Sequence, residues 1–291
     1  MKLVIAATPE VALPTIKSLQ ASHQVTLVTQ PDRPAGRGKS LRPTPVAQNI
    51  PSVLKPEDEE SLREILKGSD LLITIGYGRI LKSETLNIPK FGGINLHFSL
   101  LPKWRGAAPV QRAIEAGDKK TGVTVFQMDA GMDTGPIWVQ REFDIPYGFS
   151  SPELFEALSN LGVEAVSAAL AAIENSEIAT PQSGEVTIAK KITKDECVVN
   201  WSSPAAEIVR KIKAFAFNPG VHSTIRGEKL KIADAREAST TLQIGELSRT
   251  GEVGTGDGSV QLISVIPAGK RLMSASDWLN GFKLAPGERF E

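Results

Sequence analysis

Two polar side chains that can support acyl-transfer chemistry lie two residues apart in an apolar stretch of the chain. Asn95 and His97 stand in the sequence Ile-Asn-Leu-His-Phe, where apolar and polar residues alternate. This period of two predicts a β-strand whose polar side chains share one side, about 7 Å apart. An amide can hold a developing oxyanion, and an imidazole can carry a proton near neutral pH. The pair is a candidate catalytic site, although an edge strand with a polar face gives the same pattern.

The elements around this strand predict an α/β fold. After His97, the Pro and basic residues of 101–105 predict a loop. Apolar strands alternate with helical patterns, which favours a doubly wound, mostly parallel sheet with helices on both faces. Ligands bind such sheets beyond the carboxyl ends of the strands, where the loop after His97 lies. No G-x-G-x-x-G follows the first strand, so the dinucleotide-binding version is unsupported. The predicted strands are 3–7, 25–29, 71–75 and 94–98, and the predicted helices are 9–21, 57–67 and 107–116.

Composition places the chain among globular proteins of ordinary size. Its 291 residues are enough for two domains, and 41% of them are hydrophobic and 23% charged. The net charge of zero argues against a uniformly basic nucleic-acid binder but leaves local basic patches open. A single cysteine, Cys197, excludes a disulfide framework and a structural zinc site of several thiolates. The N-terminus predicts a first strand rather than a signal peptide or membrane span, so we expect a cytoplasmic protein.

A basic, proline-rich connection forms the second informative stretch. Residues 30–46 contain four prolines, two glycines and one acid, together with Arg33, Arg37, Lys39 and Arg42. Connections of this length are usually functional or disordered. The composition fits a solvated, proline-stiffened loop and equally a loop that grips phosphates.

Two strands are predicted over 121–143, and a turn rich in Gly and Asp joins them. Asp129 and Asp133 both lie in this turn, and turn chemistry explains Asp129 without a functional role. A long helix from Ser151 to about Glu174 then closes a first domain, predicted as residues 1–174.

The second half of the chain predicts a linker, 175–199, and a C-terminal domain, 200–291. An amphipathic helix is followed by short strands separated by Gly turns, a pattern typical of a small OB-like β-barrel. Such barrels often bind nucleic acids, although the fold does not fix the function. Lys270 and Arg271, near the end of the barrel, are candidate phosphate contacts or ordinary surface charges.

Five motifs in register resemble the folate-dependent formyltransferase family, in particular its members that act on initiator tRNA. They are Asn-x-His, Ser-Leu-Leu-Pro, Trp-Arg-Gly-Ala-Ala-Pro, Met-Asp-x-Gly-x-Asp-x-Gly and the basic loop Pro-Asp-Arg-Pro-Ala-Gly-Arg-Gly-Lys. The resemblance covers nearly the whole chain, and the basic loop discriminates best because relatives acting on small substrates lack it. The chain departs from the family pattern at Ala7, where Gly is usual, and around Gly220.

The resemblance implies formyl transfer from 10-formyltetrahydrofolate to the α-amino group of methionyl initiator tRNA, with tetrahydrofolate as product. It implies no metal, no membrane and a monomer. The implied catalytic residues are Asn95, His97 and Asp133, and Asp133 would orient His97 and raise the pKa of its imidazole. The implied folate contacts are Ser99, Leu100, Leu101, Pro102, Tyr77, Gly78 and Ile80. The implied tRNA contacts are Arg33, Arg37, Lys39, Arg42, Lys270 and Arg271.

Three other functions are weighed against this one. A formyltransferase acting on a small amine, such as a sugar nucleotide or glycinamide ribonucleotide, has no use for the basic loop and the barrel. A hydrolase or dehydrogenase-linked domain with the same folate site usually has further domains, for which this chain is too short. A non-catalytic RNA-binding protein has no use for intact Asn95, His97 and Asp133.

Overall fold

The computed structural model describes residues 1–35 and 40–291, which divide into two compact units. The first unit consists of Met1–Gly106, Lys120–Asp144 and Phe155–Ile188, and the second of Ala107–Lys119, Ile145–Leu154 and Ala189–Glu291. The predicted domain limits at residues 174 and 200 remain predictions.

The strands and helices follow the predicted order closely. The strands are β1 (Lys2–Ala7), β2 (Gln24–Val28), β3 (Arg33–Ala35), β4 (Ser40–Arg42), β5 (Leu71–Ile75), β6 (Gly93–His97), β7 (Arg105–Gly106), β8 (Lys120–Gln127), β9 (Ile137–Asp144), β10 (Ile188–Ala189), β11 (Val221–Ile225), β12 (Glu228–Ala238), β13 (Glu252–Gly254), β14 (Ser259–Pro267) and β15 (Met273–Ser274). The helices are α1 (Leu13–Gln20), α2 (Pro45–Asn49), α3 (Glu59–Leu66), α4 (Ser83–Leu86), α5 (Pro109–Ala116), α6 (Ser151–Glu174), α7 (Ala205–Ala214) and α8 (Ala275–Phe282). Short 3₁₀ turns occupy Glu10–Ala12 and Asp195–Cys197.

A six-stranded sheet forms the core of the first unit, in the order β2-β1-β5-β6-β8-β9. The four strands β2, β1, β5 and β6 are parallel, whereas β8 and β9 are antiparallel to their neighbours. All five residues of β5 are buried, as expected for a central strand covered on both faces. The predicted mostly parallel α/β sheet is therefore confirmed.

Helices cover both faces of this sheet. On one face, Val4 of β1 packs in a cluster with Leu62 and Leu66 of α3. On the other, α6 approaches β6 so closely that a Cβ atom added to Gly162 would lie 2.8 Å from a methyl carbon of Leu96. By length and composition α6 could cross a membrane, but 44% of its apolar window is buried within the fold. Packing against the sheet accounts for its apolar side chains.

An antiparallel sheet forms the core of the second unit, in the order β11-β12-β14-β13, and β15 pairs with β14. Along β11, Val221, Ser223 and Ile225 are buried and alternate with half-buried residues. Register shifts in β12 between Ile232 and Ala235 mark a bulge of the kind that bends a strand. The predicted small C-terminal β domain is confirmed as an antiparallel half-barrel.

Candidate active site

The register of the sheet places Asn95 and His97 on the same side at the carboxyl end of β6. Thr74 of β5 pairs with Asn95 across the two strands, and its Oγ1 accepts a hydrogen bond from Asn95 Nδ2 at 2.8 Å. Asn95 is half-buried, and His97 is 7% exposed. The predicted juxtaposition of amide and imidazole is therefore present, and the amide is held by a neighbouring strand.

The imidazole of His97 has one partner on each ring nitrogen. Its Nε2 lies 2.9 Å from the carbonyl oxygen of Trp104, which can only accept, so Nε2 carries the proton. On the other side of the ring, Nδ1 lies 3.8 Å from Oδ2 of Asp133. This separation exceeds a direct hydrogen bond. The same Oδ2 accepts a hydrogen bond from the amide of Gly106 at 2.8 Å.

Burial lowers the pKa of His97 below its ordinary value of 6.5. The carboxylate of Asp133 and the hydrogen bond to Trp104 act in the opposite direction but are smaller effects. Asp133 therefore raises the pKa of His97, as expected, but burial of the ring outweighs this effect, because the sequence did not show how completely the ring is removed from water. At neutral pH the ring is uncharged, and its Nδ1 lone pair is a base that faces Asp133.

Both partners of His97 have an unusual backbone conformation. Trp104 has φ of 63° and Asp133 has φ of 56°, in the left-handed region that non-glycine residues seldom adopt. Such conformations cost on the order of 1–3 kcal/mol each and persist where the surroundings impose them. Here they aim the carbonyl of Trp104 at one ring nitrogen and the carboxylate of Asp133 at the other.

The segment 99–102 after His97 is fixed by hydrogen bonds to β8 and β9. Thr124 Oγ1 donates to the carbonyl of Ser99 at 2.6 Å and accepts from the amide of Leu101 at 3.1 Å. Gln140 Nε2 donates to the carbonyl of Leu101 at 2.6 Å. Ser99, Leu101 and Pro102 are buried, and Leu100 is half-buried. The segment is thus preformed, and its contact with folate remains a prediction.

The other three predicted folate residues differ in exposure. The side chain of Tyr77 is buried, and its carbonyl accepts from Gln30 Nε2 at 2.6 Å and from Thr8 Oγ1 at 3.0 Å. Gly78 is exposed, and Ile80 is 94% exposed. An isoleucine left in water offers apolar surface that a flat ring could cover. Their role also remains a prediction.

The predicted tRNA contacts are exposed where the structure describes them. Arg33 and Arg42 face each other across the β3–β4 hairpin, and both are exposed. The guanidinium of Arg33 donates to the side chain of Gln30. Arg37 and Lys39 fall outside the described residues. Lys270 and Arg271 are exposed in the turn between β14 and β15.

The turn between β8 and β9 contains two aspartates, one structural and one a candidate catalytic residue. Asp129 Oδ1 accepts from the amide of Gly131 at 3.0 Å and from Thr134 Oγ1 at 2.7 Å, which is the turn role predicted for it. Asp133 instead points to His97 and Gly106. In residues 1–35 and 40–291, no group of three or more His, Cys, Asp or Glu side chains could hold a metal ion.

Four residues that support the site were not predicted from the sequence: Thr74, Trp104, Gln182 and Thr187. Thr74 carried a usable signal, because it is the one polar residue in the apolar run 71–75. The other three act through backbone groups or across long sequence separations, and the local sequence pattern did not mark them.

Comparison with known proteins identifies the family of this chain. The Formyl transferase family model matches residues 1–170, and the Formyl transferase, C-terminal domain model matches residues 191–283. The chain therefore belongs to the formyl transferase family.

Within the family, the chain is similar over its full length to methionyl-tRNA formyltransferases. The methionyl-tRNA formyltransferase of Streptomyces griseus subsp. griseus is 41% identical over 308 residues, covering 99% of each chain. That of Jannaschia sp. (strain CCS1) is 38% identical over 303 residues, covering 100% of each chain. The crystal structure of HypX from Aquifex aeolicus in complex with tetrahydrofolic acid matches with a TM-score of 0.71 and 19% identity. That match covers 97% of this chain and 47% of HypX, and it shows the shared fold.

Proposed function

We propose that the protein transfers the formyl group of 10-formyltetrahydrofolate to the α-amino group of methionyl initiator tRNA, in the cytoplasm, for translation initiation. The observation that carries this proposal is the shared orientation of Asn95 and His97 at the end of β6, with the carboxylate of Asp133 3.8 Å from the imidazole. The names of the full-length relatives support methionyl-tRNA as the acceptor.

The reaction sets three requirements for the site. The amine nitrogen attacks the formyl carbon, and a C–N bond forms as the carbonyl electrons move to oxygen. The tetrahedral intermediate collapses when the bond from the formyl carbon to the folate nitrogen breaks. A proton leaves the amine, and a proton reaches the folate nitrogen. The site must therefore stabilise an oxyanion and move a proton.

Asn95 supplies the donor for the oxyanion. One N–H of its amide is held by Thr74, which fixes the plane of the group, and Nδ2 carries a second N–H. A donor preorganised in this way contributes about 3–4 kcal/mol to the stability of such a transition state.

His97 moves the proton through Nδ1, because Nε2 is committed to the carbonyl of Trp104. Burial keeps the ring neutral, so Nδ1 can accept the amine proton and return it to the leaving folate nitrogen. The imidazolium that forms in between is stabilised by Asp133. The 3.8 Å gap between the two groups leaves them to act through a water molecule or by closer approach in the complex.

The binding residues follow from the same proposal. Folate lies against the preformed segment 99–102, with Tyr77, Gly78 and Ile80 adding to its pocket. The phosphates of the tRNA are gripped by Arg33, Arg37, Lys39 and Arg42, and by Lys270 and Arg271 in the region 200–291.

The test is an amine-acceptor assay. Purified protein is mixed with 10-formyltetrahydrofolate and, in parallel, with methionyl initiator tRNA, free methionine and amino-sugar nucleotides. We expect formylation of the charged tRNA only. Formylation of a small amine with none of the tRNA would overturn the acceptor assignment while keeping the site chemistry.

A further inference from the structure

Residues 180–188 form an exposed segment in which two side chains turn inward. At its start, Thr180 forms a pair of backbone hydrogen bonds with Ile137, at 2.7 and 2.9 Å. From 181 to 188 every residue is exposed except Gln182 and Thr187. The sequence predicted this region as part of a linker, a role that does not explain the inward orientation of these two side chains.

The amide of Gln182 has a partner for each of its polar groups. Its Nε2 donates to the carbonyl oxygens of Asp133 and Gly135, at 2.9 and 2.8 Å. Its Oε1 accepts from Nε and Nη2 of Arg105, at 3.1 and 2.6 Å. Gln182 therefore joins the left-handed turn at Asp133 to the residue that follows Trp104.

Thr187 fixes the turn at Trp104 from the other end of the segment. Its Oγ1 accepts from the amide of Trp104 at 2.9 Å, and its carbonyl accepts from the amide of Arg105 at 2.9 Å. Its own amide donates to the carbonyl of Pro102 at 3.4 Å. These bonds hold Trp104 in the left-handed conformation that directs its carbonyl at His97.

Each residue thus holds one of the two partners of the His97 ring. We propose that Gln182 and Thr187 are positioning residues for formyl transfer, which set the orientation of the His97–Asp133 pair without touching the substrate. This inference rests on the proposed function. A misplacement of about 1 Å at a reacting group can reduce the rate about 10²-fold, so bonds of this kind affect turnover rather than binding.

Two substitutions separate positioning from general packing. Gln182→Glu keeps the acceptor for Arg105 but loses both donors to the carbonyls of Asp133 and Gly135. Thr187→Val keeps the shape of the side chain but loses the hydroxyl. Each is expected to lower kcat by about 10²-fold with little change in KM for folate or tRNA. Thr187→Ser restores the hydroxyl and should restore most of the rate, whereas Glu185→Gln, an exposed change in the same segment, should have no effect.

A double-mutant cycle tests whether Gln182 acts through Asp133. In an Asp133→Asn background, Gln182→Glu should cost far less than in the wild type, because the group it positions has already been altered. Independent losses that multiply in the double variant would overturn the inference, as would wild-type turnover in both Gln182→Glu and Thr187→Val.

A measurement without substrate keeps the inference separate from the proposed function. The chain has three histidines, so the imidazole signals of the free protein can be followed by NMR. Gln182→Glu and Thr187→Val should change the signals and titration of His97 and leave those of His23 and His222 in place. Unchanged His97 signals in a folded variant would overturn the positioning role, whereas an inactive wild type with changed His97 signals would overturn only the proposed function.

Discussion

Two clusters of ionisable groups in this chain are built in opposite ways. In the second unit, Arg112 Nη1 lies 2.7 Å from Glu115 Oε2 and 2.7 Å from Glu196 Oε2. In the first unit, His97 Nδ1 and Asp133 Oδ2 stay 3.8 Å apart. The guanidinium of Arg112 lowers the pKa of Glu196 to about 2, whereas burial lowers the pKa of His97.

This difference in distance distinguishes a cluster that stabilises the fold, around Arg112, from a side chain that can react, His97. Each charged group of the Arg112 cluster has an oppositely charged partner. These ion pairs stabilise the folded state. The Nδ1 atom of His97 carries no hydrogen, and it lies farther from Asp133 than a hydrogen bond allows. This arrangement leaves a base available for the substrate. Four predictions test this contrast between stability and turnover. Each changes one cluster, by substitution or by pH, and measures one or both of these quantities.

The largest effect is expected at His97. His97→Ala should lower kcat by about 10²–10⁴-fold, because the proton transfer loses its carrier. The free energy of unfolding should fall by about 1–3 kcal/mol, because removal of the buried ring leaves the carbonyl of Trp104 without its donor. Steady-state kinetics and urea unfolding of the same preparation measure both quantities. A fall in stability with nearly normal turnover would reverse the contrast.

Arg112 is expected to affect stability without affecting turnover. Arg112→Ala leaves two carboxylates without their cation and should cost about 1–2 kcal/mol of unfolding free energy, with kcat unchanged. Lys67→Ala is the matched control, because it removes an ion pair with Glu64 whose side chains are 65% and 64% exposed. That control should cost less than about 0.5 kcal/mol.

The pH dependence of stability isolates Glu196. Its pKa falls from 4.5 to about 2 on folding, so its contribution is complete above pH 4.5 and is lost as the pH falls towards 2. The carboxylate is about one-third exposed, which screens the contribution to about 1 kcal/mol. Unfolding of the wild type and Glu196→Gln at pH 7 and pH 3 should give a difference in stability at pH 7 that falls to about half at pH 3, because the folded-state pKa of about 2 lies below pH 3. An equal difference at both pH values would show that Glu196 is not the titrating group.

The smallest effect is expected in the pH dependence of kcat. In the proposed mechanism His97 acts as a base in its neutral form, and its pKa lies below 6.5. Activity is therefore lost only as the pH falls through that lowered pKa, and at pH 6.5 more than half of the plateau rate should remain. Single-turnover rates between pH 5 and 8 measure this limb. A midpoint above 6.5 would mean that Asp133 outweighs burial.

How far the sequence predicts this molecule depends on the range of each interaction. The strand period around Asn95 and His97 is local, so β6 and the shared side of the two residues were predicted correctly. The turn chemistry of Asp129 is also local. The left-handed conformation of Trp104 is imposed by Thr187, 83 residues away, and no pattern near Trp104 encodes it. The pKa of His97 depends on burial by the whole unit, so the sequence predicted the effect of Asp133 but not the larger, opposite effect of burial.

The long reach of these bonds has a consequence for the order in which the molecule becomes active during synthesis. The chain leaves the ribosome from its N-terminus, so His97 is available well before Gln182 and Thr187. The partner of Arg105, Gln182, is synthesised 77 residues later, and the partner of Trp104, Thr187, 83 residues later. A nascent chain that has completed β6 therefore contains Asn95 and His97, two of the proposed catalytic residues, before the bonds that fix their surroundings can form. If residues 180–188 orient His97 as proposed, activity begins late, once that segment has been made.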